Sequence, residues 1–263
     1  MPESFKPIAV KSAKDNRLLF FIRCCVDLQL LTIFLFLKAH LGGCRGRLLD
    51  VGAGEGPWKD LLPKAVTYVG VDVASASDFG MTRHLGVTYY DGLRLPFADS
   101  SFDEVLCTEV LEHVPNPMAL LQDIHRVLAP GGRLIMTVPW SARVHHVPHD
   151  YFRFTNFGLT SVLNAAGFSV ERMDERGNDL AAIANKIIVW VMRLLKPASF
   201  ASALWMWPLG LCVGLFGFVF LFAAHIALLF NLGSKEDPLG YGVLAKKSVQ
   251  RGSRFAESSG MLG

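Results

Sequence analysis

The feature that most constrains the fold is a short apolar run that ends in an acid and three alternate glycines, L-L-D-V-G-A-G-E-G at residues 48–56. The run is too short for a helix and is bounded by glycine, so it predicts a buried strand of a parallel sheet. Glycine accepts a positive φ without steric cost, so we expect a sharp turn here that leaves backbone N–H groups open to a ligand. Because open α/β sheets bind ligands beyond the carboxyl ends of their strands, the stretch predicts a ligand site directly after this strand.

A second apolar run, Y-V-G-V-D at residues 68–72, ends in a carboxylate. Asp72 comes about eighteen residues after Gly54, where an acid at the end of the second strand can accept hydrogen bonds from both ribose hydroxyls of a nucleoside. The nicotinamide dinucleotide pattern G-x-G-x-x-G fits less well, because Pro57 occupies the place of its third glycine. An ordinary tight turn is the alternative for the glycines alone, and the position of Asp72 weighs against it.

Further sequence signals lie at the ends of the next two predicted strands. Asp91 and Gly92 follow a predicted strand at Val87–Tyr90, and Glu109 follows the next one. Between them lies the block L-P-F-A-D-S-S-F-D at residues 95–103. The earlier D-x-G-x-G-x-G pattern resembles motif I of the class I S-adenosylmethionine-dependent methyltransferases, and the second block closely resembles the methyltransferase type 11 branch of that family.

This resemblance implies S-adenosylmethionine as cofactor and methyl donor, with S-adenosylhomocysteine as product. In the family the glycine loop passes the methionine end of the cofactor, and an acid in the position of Asp91 contacts the adenine amino group. A turn aspartate is the alternative for Asp91. The segment from Glu109 to Val114 lies over the cofactor in the family, which favours a structural role for His113 over that of a general base. The implied cofactor-binding residues are Asp50, Gly52, Ala53, Gly54, Gly56, Asp72, Val73, Asp91, Gly92 and Glu109.

Strand and helix patterns alternate along the chain, which predicts an α/β fold with a mostly parallel, Rossmann-like sheet and helices on both faces. The resemblance implies seven strands, with strands six and seven as antiparallel neighbours and an apolar helical insert between them. The other predicted elements are strands at Arg45–Val51, Val105–Thr108, Arg133–Val138, Phe168–Met173 and Tyr241–Lys246 and a helix at Met118–Leu128. The predicted organisation is an N-terminal tail and apolar helix at 1–44, a methyltransferase domain at 45–177 and 236–250, a hydrophobic helical insert at 178–235 and a flexible tail at 251–263.

The segment after predicted strand five, residues 139–155, holds three histidines, an acid, a tyrosine and two arginines. In the family the acceptor binds at this edge of the sheet. Methyl transfer from a sulfonium is an in-line displacement that depends on positioning, so no metal site is predicted. A hydroxyl acceptor needs a base, for which we expect His149 beside Asp150, or His145. Arg153 is expected to grip a carboxylate or phosphate of the acceptor, and the alternative is that Asp150 and Arg153 only tie the loop to the sheet.

The insert predicts a membrane contact. Asp179–Lys196 is expected to form a helix, and the segment 197–234 contains no Lys, Arg, Asp or Glu over more than the roughly twenty residues that cross a bilayer. Trp205 and Trp207 suit an interfacial belt. Because strands six and seven must pair in one compartment, a lone crossing is excluded. The insert is then a re-entrant structure or a hairpin of two crossings, formed within residues 201–232 or with the preceding helix as one arm. A hydrophobic lid or a dimer contact is the alternative.

Composition indicates the surroundings of the protein. Hydrophobic residues make up 51% of the chain and the mean hydropathy is +0.34, which favours apolar surface in contact with something other than water. The net charge of +3 is too mild to indicate nucleic acid. The five cysteines contain no C-x-x-C pair, which favours a reducing compartment, and no secretory signal is predicted. Near the amino terminus we expect a tail at 1–17 and one apolar helix at Leu18–Lys38, with Arg23 and Asp27 paired on one face.

Together these features predict a membrane-associated methyltransferase whose catalytic domain lies on the cytoplasmic side. The expected acceptor is a small molecule, a lipid, a quinone-like molecule or a lipid-linked glycan, and nucleic acid is not expected as a partner. Two alternatives belong to other classes of protein. One is a membrane-tethered interaction or regulatory module that keeps the cofactor fold and transfers nothing. The other is a nicotinamide-dependent oxidoreductase, which Pro57 disfavours.

Overall fold

The computed structural model describes residues 8–75 and 83–248, so the predicted tail at 251–263 lies outside the described residues. The described residues form a seven-stranded sheet in the order β3-β2-β1-β4-β5-β7-β6. The strands are β1 Arg47–Val51, β2 Thr67–Val73, β3 Val87–Tyr90, β4 Phe102–Thr108, β5 Leu128–Pro139, β6 Phe168–Arg176 and β7 Gly240–Lys247. The first five strands pair in parallel, and β7 runs antiparallel to β5 and β6. The predicted α/β sheet, with strands six and seven as antiparallel neighbours, is confirmed.

Both faces of the sheet are buried, because neighbouring residues of a strand point to opposite sides. In β1, Leu49 belongs to the apolar cluster formed with helices α3 (Pro117–Val127) and α4 (Asn156–Ala165). Leu48 belongs to a second cluster, formed with helix α2 (Leu28–Leu41) on the other face. Two buried faces explain why β1 reads as a continuous apolar run rather than as an alternating one.

Three strands are at least three residues longer than predicted, and β4 begins at Phe102 instead of Val105. β5 begins at Leu128 instead of Arg133, because the ladder with β4 is irregular between Phe102 and Glu104 and the P-G-G segment is taken up as a bulge. β6 continues beyond the predicted Met173 to Arg176. The additional residues of β6 place Arg176 at the same sheet edge as the cofactor loop, where it has a role described below.

The predicted single helix at Leu18–Lys38 is wrong, because the chain bends at Asp27. The chain direction changes there by 118° between helix α1 (Arg17–Val26) and α2. The Asp27 backbone leaves the helical region, and its carboxylate caps α2 by accepting the Leu30 N–H at 3.0 Å. The predicted pair of Arg23 with Asp27 forms across this bend, with 3.7 Å between Nε and Oδ2.

The segment before α1 packs on the domain, in contrast to the predicted tail. The Arg23 guanidinium donates hydrogen bonds to the carbonyls of Ile8 and Ala9, at 2.8 Å each. Lys14 pairs with Asp60 at 2.6 Å between Nζ and Oδ1. The first seven residues of the predicted tail lie outside the described part of the chain.

Helices α5 (Asp179–Leu194) and α6 (Phe200–Phe230) form an antiparallel hairpin between β6 and β7. Because α6 is continuous, a hairpin formed within residues 201–232 is wrong, and α5 is the other arm. Small buried residues of α6 recur every seven positions and give α5 one seam to pack against. These residues are Ala203, Gly210, Gly217 and Ala224. A Cβ on Gly217 would lie 2.9 Å from Ile187 Cγ2, so the two helices approach closely.

The hairpin leaves and rejoins the sheet at one place, since the Asp179 N–H donates to the Ser234 carbonyl at 3.0 Å. Among the described residues, α6 is the one helix long and apolar enough by itself to cross a membrane. Only 17% of its most apolar stretch is buried within the protein. Large apolar side chains cover the side of α6 that faces away from α5, which we call the α6 outer face. They are Leu204, Leu211, Leu215, Phe218, Phe222 and Leu229.

Candidate functional site

A cavity of about 910 Å³ opens beyond the carboxyl ends of β1, β2 and β4. Its lining includes three distinct parts. The first part, the glycine-loop wall, comprises residues 50–55, 72–73, 90–93 and 108–110. The second part, the histidine wall, comprises His113, Ala142, Arg143, His145, His146 and His149. The third part, the apolar rim, comprises residues 8–10, Ile22, Val26, Ile188, Val189 and Met192.

The glycine-loop wall contains every residue predicted to bind the cofactor except Gly56. These residues come from four separate segments of the sequence. The parallel order β3-β2-β1-β4 brings the segments together, because the carboxyl ends of adjacent parallel strands meet at one edge of the sheet. The structure therefore places the predicted residues other than Gly56 on one surface of the cavity.

Asp72 is buried and links two segments of the glycine-loop wall. Its Oδ2 accepts the Gly54 N–H at 2.9 Å, and its Oδ1 accepts the Val73 N–H at 2.7 Å. Burial raises the pKa of the Asp72 carboxyl, while the two backbone donors act in the opposite direction. Oδ2 is thus tied to the glycine loop and Oδ1 to the end of β2, and a carboxylate oxygen has room for more than one hydrogen bond.

The glycine loop differs from the prediction in one respect, because its N–H groups are used within the protein. The N–H groups of Gly52 and Ala53 both donate to the Val71 carbonyl, at 2.9 and 3.1 Å. The glycines are instead required for shape. Gly52 has a φ of +73°, and a Cβ added there would lie 2.3 Å from Val110 Cγ2.

Asp50 is buried beneath the glycine loop. Its Oδ2 accepts the Tyr68 hydroxyl at 2.7 Å. Burial raises the pKa of Asp50 to about 7, although the Tyr68 hydrogen bond works against the increase. The nearby Asp72 carboxylate contributes in the same direction as burial. A positively charged ligand in the cavity, such as a sulfonium, would favour the ionised form of Asp50.

Asp50→Asn is expected to stabilise the protein at pH 8. Because the pKa of Asp50 is higher in the folded than in the unfolded chain, the carboxyl destabilises the fold only when the unfolded chain would ionise it. This loss of folding stability is absent below about pH 4 and grows until about pH 7. The gain from an uncharged amide should therefore increase over that window and then level off, at a few kcal/mol at most. Melting temperatures between pH 5 and pH 8 measure it, with Asp103→Asn as a control at the opposite sheet edge. A gain that does not depend on pH would contradict the prediction.

Glu109 is held by an arginine that the sequence analysis does not identify. Its backbone has a φ of +52°, and its Oε1 accepts the Arg176 guanidinium at 2.8 Å. Arg176 is buried and also donates to the carbonyls of Val138 and Tyr241, at 3.0 and 3.3 Å. The guanidinium fixes the Glu109 carboxylate at the floor of the glycine-loop wall. In the sequence, Arg176 is marked only by its position three residues beyond the predicted end of strand six.

Glu112 is the second ionisable group that the sequence analysis does not identify. Its side chain is fully buried, and neither carboxyl oxygen has a hydrogen-bond partner among the described residues. Burial raises the pKa of Glu112 well above its usual range, and the neighbouring Glu109 adds to the increase. Burial therefore favours the neutral form of this carboxyl, whose Oε1 lies 3.6 Å from His113 Nε2.

Two residues of the histidine wall have ring nitrogens close to backbone carbonyls. His113 Nδ1 lies 2.6 Å from the His149 carbonyl, and His145 Nδ1 lies 3.0 Å from the Arg143 carbonyl. Burial lowers the pKa of His113 to about 4, and the neighbouring His145 contributes to the decrease. His113 is therefore neutral at pH 7 and is poorly suited to hold a proton as a general base.

Asp150 and Arg153 lie behind the histidine wall rather than in the cavity lining. Their side chains form a two-point ion pair, with distances of 2.6 and 2.8 Å, and Asp150 also accepts the His145 N–H at 2.9 Å. Burial works to raise the pKa of Asp150, but Arg153 and the His145 amide outweigh it and lower the pKa. The prediction that Arg153 grips the acceptor does not fit this position, because Asp150 and the Arg143 carbonyl already occupy its guanidinium. The alternative role, fixing the loop, fits both residues.

The two predicted base candidates differ in their surroundings. Asp150 does not orient His149 as predicted, because it is turned towards Arg153 and lies 3.4 Å from His145 Nδ1. His149 Nδ1 lies instead 3.2 Å from the Tyr151 hydroxyl. His145 and His149 nevertheless both line the cavity, as the sequence analysis expects.

Comparison with known proteins agrees with this geometry. Residues 49–136 match the family model described as a methyltransferase domain. An uncharacterized methyltransferase of Mycobacterium tuberculosis is 38% identical over 110 residues, which are 39% of this chain and 43% of that protein. A ubiquinone biosynthesis O-methyltransferase of Haemophilus ducreyi is 31% identical over 118 residues, which are 40% of this chain and 50% of that protein. The chain thus spans half or less of the length of these curated relatives.

A solved structure supports the fold over a greater length. A SAM-dependent methyltransferase from Archaeoglobus fulgidus has a TM-score of 0.50 and 18% sequence identity, covering 89% of this chain and 100% of that chain. At this identity the likeness concerns the fold alone. The family match covers the glycine loop, Asp72 and the 95–103 block, which are the motifs that carry the resemblance. The chain therefore carries a class I S-adenosylmethionine-dependent methyltransferase domain of the type 11 branch, a family whose cofactor is S-adenosylmethionine.

Proposed function

We propose that this protein transfers a methyl group from S-adenosylmethionine to a hydroxyl of an apolar acceptor carried in a membrane. One observation carries the proposal: a single cavity joins the glycine-loop wall, the histidine wall and the apolar rim. The glycine-loop wall holds the methyl donor, and the histidine wall faces the reacting hydroxyl. The apolar rim contacts the apolar part of the acceptor. The name of the Haemophilus ducreyi relative, an O-methyltransferase of ubiquinone biosynthesis, is consistent with such an acceptor.

The residues of the cavity have distinct roles in the transfer. Asp72 binds the ribose hydroxyls, and Asp50 faces the positive charge of the sulfonium. The acceptor oxygen attacks the methyl carbon in line with the carbon–sulfur bond, whose electron pair stays on sulfur as S-adenosylhomocysteine forms. The rate comes chiefly from holding the oxygen and the methyl carbon in line at near contact. The hydroxyl proton passes to a base in the histidine wall.

We assign the base to His149. It lines the cavity, and its Nδ1 partner is the Tyr151 hydroxyl, which can donate or accept a hydrogen bond. The other histidines of the wall pack ring against ring and form a separate group.

His149→Gln is expected to lower kcat by about 100-fold or more, because general base catalysis typically contributes that much. Binding of S-adenosylhomocysteine should not change, since the substitution leaves the glycine-loop wall intact. His40→Gln is the matched control, because His40 lies in the last turn of α2, away from the cavity lining. The measurement is the rate of S-adenosylhomocysteine formation with lipid extract. A His149→Gln enzyme with wild-type kcat would remove His149 from the mechanism.

The position of the hairpin supports a membrane-borne acceptor. In α5, Ile188 and Met192 line the cavity, while Ile187 packs on α6. The α6 outer face lies on the far side of this helix pair. α1 adjoins α6, where His225 Nε2 lies 2.8 Å from the Cys25 carbonyl. The exposed apolar surface thus runs from α6 across α1 to the rim.

We further propose that the hairpin dips into one leaflet and returns. α5 is about 24 Å long, which is shorter than the roughly 30 Å of a bilayer's hydrocarbon core, and it carries Lys186 and Arg193. α6 is about 46 Å long and fits the membrane at an angle to its normal. We expect the catalytic domain on the cytoplasmic side, in line with the five free cysteines of the chain.

The main alternative is a module that binds the cofactor and transfers nothing. An assay of S-adenosylhomocysteine formation by the full chain, with S-adenosylmethionine and total lipid extract, separates the two functions. We expect formation that depends on the extract and stops in Asp72→Ala. Tight binding of S-adenosylhomocysteine without turnover on any extract would support the non-catalytic module instead.

A further inference from the structure

The histidine wall contains a group of side chains that the transfer described above does not use. His113, His145 and His146 each offer one imidazole nitrogen, and these nitrogens lie within 4.8 Å of one another. The ring centroids are 4.7 Å apart for His113 and His145, 5.1 Å for His113 and His146, and 5.3 Å for His145 and His146. We call this group the histidine triad. Two of its members are sequence neighbours, and the third comes from the loop after β4.

Hydrogen bonds fix the ring orientation of two triad members. A backbone carbonyl can only accept, so the carbonyls of His149 and Arg143 place the proton on Nδ1 of His113 and of His145. In the neutral ring the lone pair is then on Nε2, and in His113 this nitrogen also lies 3.6 Å from Oε1 of the buried Glu112. Histidines that bind metal ions have this arrangement, with the other ring nitrogen donating to a carbonyl or a carboxylate.

Groups outside the cavity hold the loop of the triad in place. Asp150 accepts the His145 N–H at 2.9 Å and is itself held by Arg153 at two points. His146 has a φ of +54°, a conformation that ordinary side chains rarely adopt. A positive φ that persists beside two half-buried, hydrogen-bonded rings is typical of a functional site.

We propose that His113, His145 and His146 bind a divalent transition metal ion, with zinc as the best match to three imidazole ligands. Catalytic zinc sites use three protein ligands and leave a fourth position open, and all three histidines of the triad line the cavity. This proposal goes beyond the sequence analysis, which predicts no metal ion. An acceptor oxygen fits the open position, and the ion acts there as a Lewis acid that lowers the pKa of the hydroxyl.

The catalytic part of this inference rests on the proposed function, and it names the acceptor class as a hydroxyl compound. The hydroxyl proton passes to His149, the oxygen bonds to the methyl carbon, and the electron pair of the broken carbon–sulfur bond remains on sulfur. The backbone of His149 accepts from His113 Nδ1, so the base and the triad are joined directly. No oxidant or reductant enters the step.

Cobalt(II) and zinc titration of the full chain in detergent tests the site. We expect one equivalent of metal per chain and a cobalt spectrum with the visible bands of a four-coordinate site. His113→Gln, His145→Gln and His146→Asn should each weaken zinc binding by at least about 100-fold, since even outer partners of a site contribute 10- to 100-fold. Asparagine is chosen at 146 because it tolerates a positive φ. His40→Gln should bind metal as the wild type does.

Binding of S-adenosylhomocysteine separates the outcomes. A triad variant that binds it normally but loses the metal supports the site, because the domain is folded. Metal bound at full affinity by the triple variant, or no stoichiometric cobalt binding by the wild type, would overturn it. Wild-type chain that binds metal but not S-adenosylhomocysteine contradicts the proposed function and leaves the site intact. Activity of the wild type that survives complete removal of metal by a chelator would overturn the catalytic role.

Discussion

Replacing Asp72 with alanine is expected to weaken binding of S-adenosylhomocysteine by about 100-fold or more. The carboxylate is proposed to accept both ribose hydroxyls, and a hydrogen bond to a charged group contributes about 1.5–3 kcal/mol. The substitution also removes the acceptor of the Gly54 N–H, so the glycine loop loses a fixed point. Both effects act in the same direction. Isothermal titration calorimetry of the full chain in detergent measures the loss.

Two variants separate the loss of the ribose contacts from general destabilisation. Asp72→Asn keeps one oxygen for the Gly54 N–H, so it should bind S-adenosylhomocysteine more tightly than Asp72→Ala but less tightly than the wild type. Asp103→Ala removes an aspartate that accepts the Arg47 N–H at 2.8 Å at the opposite sheet edge, and it should bind normally. Near-normal affinity in Asp72→Ala would show that the nucleoside lies elsewhere.

Replacing four apolar residues of the α6 outer face with charged ones is expected to release the protein from membranes. Leu211→Lys, Leu215→Glu, Phe218→Lys and Phe222→Glu replace side chains that are each at least 63% exposed. A charge near the centre of a membrane helix costs about 2.5–3.5 kcal/mol, so four together amount to on the order of 10 kcal/mol. Each Lys and Glu stand four positions apart and can pair on the helix surface, so the helix itself should persist. Sedimentation of cell membranes, with immunodetection of both fractions, measures the change.

The control places charges on apolar residues that are even more exposed but belong to the sheet domain. Leu85→Lys and Phe157→Glu meet this condition, and the double variant should sediment with the membranes as the wild type does. Wild-type protein that stays soluble and monomeric without detergent would contradict the membrane assignment. A wild type that is soluble but dimeric, and that becomes monomeric in the four-charge variant, would identify the α6 outer face as a dimer contact.

The sequence predicts the centre of the glycine-loop wall well, because three of its residues carry local signals. Asp50, Gly52 and Asp72 stand at the ends of short apolar runs bounded by glycine or turn residues. Runs of this kind become adjacent parallel strands in an α/β sheet, so one-dimensional order is enough to place their ends together. β3 was likewise predicted with the bounds that the structure has, Val87–Tyr90.

Contacts that depend on tertiary packing were less predictable. Arg176 and Glu109 are far apart in sequence, and nothing local indicates that antiparallel pairing of β6 with β7 carries Arg176 under the cavity floor. His149 and Asp150 illustrate the same limit. Adjacent residues suggested a hydrogen-bonded pair, but the loop turns Asp150 away towards Arg153.

The helical parts show what an apolar pattern leaves open. Asp27 was predicted to lie on one face of a single helix. In the structure α1 ends before Asp27, and the Asp27 carboxylate caps the first turn of α2. The length of the apolar segment 197–234 allowed one helix or two. Gly210 and Gly217, at the heptad spacing that packs against α5, select a single continuous α6.

The most direct test of the central claim is to identify the product of methyl transfer. The full chain in native membranes is incubated with methyl-labelled S-adenosylmethionine, and the lipid and aqueous fractions are separated and examined by mass spectrometry. We predict label in an apolar compound as a methyl ether, and no label in that compound with Asp72→Ala or with His149→Gln. Label that appears in protein, nucleic acid or water-soluble metabolites, with none in the lipid fraction, would contradict transfer to a membrane-borne hydroxyl.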